Sequence, residues 1–107
     1  PLNTERRKRF SNMKNWYFKV NIDFTSYNGG IVATTESVQV KNTGTDGKGF
    51  KNLSAAKDWF LQMVESTSKR DDREDVSFNI KNNKNFIIEF FDKYNKEFVH
   101  MEYILVK

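Results

Sequence analysis

Residues 16–30 read WYFKVNIDFTSYNGG, and this stretch decides the fold. Trp16, Phe18, Val20, Ile22 and Phe24 alternate with Tyr17, Lys19, Asn21, Asp23 and Thr25. A period of two puts successive side chains on opposite faces of a strand, here one apolar and one mixed. Asn28-Gly29 follows, and both residue types accept the positive φ that a tight hairpin needs. The next apolar positions, from about Ile31 to Lys41, are therefore expected to fold back on the first strand.

Loop length fixes the register of that hairpin. A two-residue Asn28-Gly29 turn sets Val20 against Ser37 and sends Val38 and Val40 to the wrong face. A three-residue Asn28-Gly29-Gly30 loop sets Val20 against Val38 and Phe18 against Val40, so the apolar faces agree. The three-residue loop is the expected one. It brings Glu36 opposite Ile22 on the packed side, where a carboxylate needs a partner. Lys57 is the expected partner.

Residues 42–49, NTGTDGKG, lack the Lys-Ser/Thr ending of a phosphate-binding loop and read as a connector. A helix is predicted from about Leu53 to Thr67, with Asn52 or Ser54 as its cap. Leu53, Ala56, Trp59, Phe60, Met63 and Val64 share one face of it, while Asp58, Gln62 and Glu65 share the other. The mixed-charge run SKRDDRED (68–75) reads as a solvated loop. Three further strands are predicted at Val76–Ile80, Phe86–Asp92 and Phe98–Val106, joined by turns at 81–85 and 93–97.

The order β-β-α-β-β-β predicts an α+β fold in a single domain, residues 16–107. A mostly antiparallel five-stranded sheet carries one amphipathic helix on one face. A β-grasp-like arrangement is the first expectation, and a partly closed small barrel is the second. The chain has 107 residues, of which 37% are hydrophobic and ten are Phe, enough for a core without staples. It has no Cys, which removes disulfides and thiolate metal sites and fits a reducing, cytoplasmic setting. No apolar run has the length of a membrane span, so no membrane partner is expected.

Charge is unevenly placed. Arg6, Arg7, Lys8, Arg9 and Lys14, against Glu5, account for the whole formal net charge of +4, and residues 16–107 balance. Residues 1–15 thus form a basic arm. Met13 opens a plausible chain start, so residues 1–12 read either as an upstream extension or as a flexible arm for an anionic partner.

Three constellations carry chemistry. If Phe91 pairs with Phe98, then Glu89 lies opposite His100 with Glu102 on the same face. Those residues form either a proton-relay or metal set, or a decorated polar surface. Glu36 is the second. The third is aromatic: Tyr17, Phe91 and Phe98 fall on the face away from the helix, with Lys19 beside Tyr17. Exposed rings beside lysines can stack single-stranded bases. One His and no Cys leave no nucleophile–base template, so no enzyme, metal or cofactor is expected. The expected function is a non-enzymatic module binding single-stranded nucleic acid or RNA through Arg6, Arg7, Lys8, Arg9, Tyr17, Lys19, Phe91 and Phe98. The alternative is a protein-interaction or assembly module that works through a sheet edge or a homodimer.

Overall fold

The computed structural model describes residues 15–26, 35–40 and 48–107. Strands β1 (Tyr17–Ser26) and β2 (Thr35–Val40) precede helix α1 (Leu53–Ser68). Strands β3 (Arg73–Asn82), β4 (Asn85–Asp92) and β5 (Glu97–Val106) follow it. The strands form one sheet in the order β2-β1-β5-β4-β3, and every pairing is antiparallel. The first and last strands are neighbours that run in opposite directions, Phe18 facing Leu105 and Phe24 facing Val99. A β-grasp sheet runs that pair in parallel, so the likeness extends to element order and stops at strand direction. β2 and β3 are the two edges of the sheet.

The hairpin register is the one the apolar pattern demands: Phe18 faces Val40, Val20 faces Val38 and Ile22 faces Glu36. The loop that sets it lies outside the described residues. Helix α1 starts where expected because the Asn52 side chain accepts the Ala55 N–H at 2.8 Å. Ala56, Phe60 and Val64 are buried against the sheet, with Leu53, Trp59 and Met63 beside them. Phe18, Val20, Phe60, Phe86 and Ile88 are wholly enclosed. Rings pack edge-to-face around Phe18, with Tyr103 at 5.2 Å and Phe50 at 5.5 Å.

Two local readings are corrected. Arg73, Glu74 and Asp75 were expected in a loop, but they open β3. Arg73 bonds to Asp92 at 2.7 Å and lies over the Phe90 ring at 4.6 Å, which ties the charged run to β4. Pairing is irregular between Glu74 and Ser77, and Asp75 has φ 53 there, so a β-bulge hides the strand from a period-two reading. Phe50 follows the Gly-rich connector and was not expected in the core, yet it is buried and bridges to Trp16.

Candidate nucleic-acid interface

Strand direction sorts the charges. The start of β1, the end of β5, the start of β4 and the end of β3 meet at one end of the sheet. Trp16 stands there, bonded to Phe50. Lys107 Nζ lies 4.6 Å and Lys84 Nζ 5.1 Å from its ring centre, both within cation–π range. The Lys48 carbonyl accepts the Tyr17 hydroxyl at 3.1 Å and the Asn15 amide at 2.6 Å, which holds Lys48 at this end. Lys51 adjoins Phe50, and Lys57 shares a surface depression with Asn82 and Asn83. Lys81 bonds to Glu102 at 3.6 Å. Two lysine ammonium groups, those of Lys84 and Lys107, thus flank one partly buried tryptophan.

The opposite end carries charges of both signs that pair with one another. Arg70 makes two bonds to Asp72, at 2.8 and 2.9 Å. That bond lifts the Arg70 pKa above its ordinary value and holds Asp72 below the usual carboxylate range. Lys93 meets Glu74 at 3.0 Å. Asp92 is buried. Burial pushes its carboxyl upward, but the Asn95 N–H, the Arg73 guanidinium and the Asn95 amide outweigh it and hold the pKa low.

The expected site residues divide between the two ends. Tyr17 and the exposed Lys19 are at the lysine end. Phe91 and Phe98 pair as expected, ring centres 5.0 Å apart, with Phe98 48% exposed. They sit beside Thr25, eight residues along β1 from Tyr17, or roughly 26 Å. The three rings are not sealed in the core, but they do not make one platform. Arg6, Arg7, Lys8 and Arg9 lie outside the described residues. The first described residue, Asn15, is at the lysine end, so the chain carrying them joins the domain there.

Glu89 faces His100 as expected, 3.2 Å apart. Glu102 turns to Lys81 instead, so the three do not converge. Among the described residues no group of His, Asp and Glu is spaced to hold a metal. Glu36 is on β2, whereas Lys57 lies beside the end of β3, at the other edge of the sheet. The Glu36 side chain, on which the expected pairing depends, lies outside the described residues.

Trp16 and Lys107 were missed as site residues, whereas Lys84 is one of the turn lysines expected at the rim of the stacking face. Trp16 reads as one more apolar member of its alternation, and Lys107 follows the last strand with no pattern to mark it. Only the adjacency of β1 and β5, separated by most of the chain, brings them together. No helix among the described residues is long and apolar enough to cross a membrane. Comparison with known protein families, curated proteins and solved structures finds no match.

Proposed function

We propose that this protein is a non-enzymatic module that binds single-stranded nucleic acid or RNA at the Trp16 end of its sheet. The observation that supports this is the placement of the Lys84 and Lys107 ammonium groups over the Trp16 ring. Clustered cations attract phosphates and release counterions. Trp16 supplies ring surface for bases on one face of this end, and Tyr17 with Lys19 supplies a ring and a cation on the other. A single strand suits the site better than a duplex. Helix α1 spends one face on the sheet and exposes Asp58 and Glu65 on the other, which leaves no basic stripe for a major groove.

Fluorescence anisotropy with a random single-stranded oligonucleotide tests this at low salt. Binding should weaken linearly on a log–log salt plot. Lys84→Gln with Lys107→Gln should flatten that slope by about 0.7 per lost phosphate contact. Binding that is absent at low salt, or a slope untouched by both substitutions and by neutralising Arg6–Arg9, overturns the proposal.

The assembly reading is kept for one observation. Phe78, Tyr94 and Phe98 are 50%, 83% and 48% exposed, which places apolar surface in water away from the lysine end.

A further inference from the structure

The outer face of the sheet has a groove of about 220 Å³ at the end away from Trp16. Thr25, Asp75, Glu89, Phe91, Phe98 and His100 line it. That volume is below the range of small-molecule pockets and suits one long side chain. Its chemistry is specific. Two tilted rings 5.0 Å apart stand beside the carboxylates of Glu89 and Asp75. Ring faces and carboxylates together select a cation with an apolar stem, and a planar guanidinium meets both requirements. Asp75 reaches the groove from the bulge in β3, where its φ is 53. Glu89 is held by His100 at 3.2 Å and still has 57% of its side chain exposed.

We infer that this groove receives the Arg6–Arg9 segment of a second copy of this chain. The inference deepens the assembly reading and does not rest on nucleic-acid binding. Arg6-Arg7-Lys8-Arg9 is the densest run of cations in the sequence, and the groove is bordered by acids. Reach decides between a protomer's own arm and its partner's. Asn15 is at the lysine end, and the groove beside Thr25 is ten residues up β1, or roughly 33 Å away. From Asn15 the backbone of Arg9 extends at most about 22 Å, and that of Arg6 about 32 Å when drawn out straight. A protomer's own arm therefore meets the groove only when stretched taut along the sheet. Two copies lying antiparallel set each arm beside the other's groove with slack to spare. Each copy then gives and receives the same contact, which closes the assembly at two.

Sedimentation of the full chain at low salt tests this, with the synthetic peptide TERRKRFSN (residues 4–12) as the probe in trans. The chain should form a dimer at micromolar concentration. Phe98→Ala, and separately Glu89→Gln with Asp75→Asn, should weaken it at least tenfold. A chain with Arg6, Arg7, Lys8 and Arg9 all changed to Gln should be monomeric, and added peptide should shift its amide resonances at Glu89, Phe91 and Phe98. A dimer indifferent to these changes overturns the inference, as does a peptide that shifts no groove resonance. Peptide binding in the groove by a chain that stays monomeric overturns the second-copy occupant and assigns the groove to a basic segment of another protein. Lys84→Gln with Lys107→Gln, which alters no groove residue, should leave the dimer intact, so failure here is distinguishable from failure of the nucleic-acid reading.

Discussion

Trp16 and Phe50 exchange two backbone hydrogen bonds, each 2.8 Å, N–H of one to carbonyl of the other. This isolated bridge fastens the segment before α1 to the start of β1. It also fixes the approach of Gly49, which has φ +80. A Cβ there would stand 2.6 Å from the Trp16 carbonyl oxygen and 2.8 Å from the Tyr17 ring. Gly49→Ala should therefore destabilise the fold by about 1–3 kcal/mol, through strained backbone and a clash with a carbonyl that is itself bonded. A urea midpoint lowered at unchanged slope is the expected result. An unchanged midpoint would mean that the bridge carries no stability.

Phe18 and Phe98 make a matched pair for testing where the core lies. Phe18 is wholly buried and touches the rings of Phe50, Trp59, Phe86 and Tyr103. Phe98 is half exposed and has Phe91 as its aromatic neighbour. Phe18→Ala should cost about 3–5 kcal/mol, transfer and cavity combined. Phe98→Ala should cost less than that, because about half of its ring already lies in water. Equal losses in denaturant titration would show that the outer face is packed more tightly than its exposure implies.

Asp92 joins three elements. It bonds to Arg73 of β3, accepts the N–H groups of Tyr94 and Asn95, and accepts the Asn95 amide at 3.0 Å. Asp92→Ala should cost about 3 kcal/mol, because it leaves the Arg73 guanidinium without its buried partner and uncaps the turn. The acid dependence has a definite sign. The folded pKa is held below the unfolded value, so the folded state favours the charged form. The stabilisation is complete above the ordinary Asp pKa of about 3.9 and is lost as pH falls through the lower folded value. The stability difference between the parent chain and Asp92→Asn should therefore be flat above about pH 5 and shrink below it. A difference independent of pH would remove Asp92 from the account of acid unfolding.

Much of this fold is legible wherever a period and a turn act together. The Val20–Val38, Phe91–Phe98 and Glu89–His100 pairings all follow from side-chain alternation and short connections. The buried face of α1 is equally plain, because Ala56, Phe60 and Val64 share one side at helical spacing. The β1–β5 pairing is a different kind of contact. Tyr17 and Val106 are at opposite ends of the sequence, and no local pattern says that they meet. Yet that pairing carries Lys84 and Lys107 to Trp16 and separates Tyr17 from Phe98. Phe50 and Arg73 escaped for a related reason. One follows a Gly-rich connector without periodicity, and the other opens a strand whose alternation a bulge interrupts. The candidate site was thus harder to read than the layers that hold it.

Tyr103 provides a test at the other end of the pH scale. Its ring sits between Phe18 and Phe60, with centres 5.2 and 5.5 Å away. Burial alone raises its hydroxyl from the ordinary 10 to about 12. The charged form is disfavoured in the fold, whereas the unfolded chain ionises freely from about pH 10. Between those values the unfolded state has lost a proton that the folded state retains, so stability falls as pH rises. A shift of two units corresponds to about 2.7 kcal/mol. That stabilisation is present in full below pH 10 and is lost as pH climbs through about 12. The reading is taken as a difference between two chains. Tyr103→Phe keeps the ring and removes the titrating group. Subtracting its denaturation free energy from that of the parent chain, pH by pH, should give a level line up to about pH 10 and then a decline of about 2–3 kcal/mol by pH 12. Parallel curves for the two chains would mean that water reaches the Tyr103 hydroxyl, and that the core between β5 and α1 is looser than its ring contacts indicate.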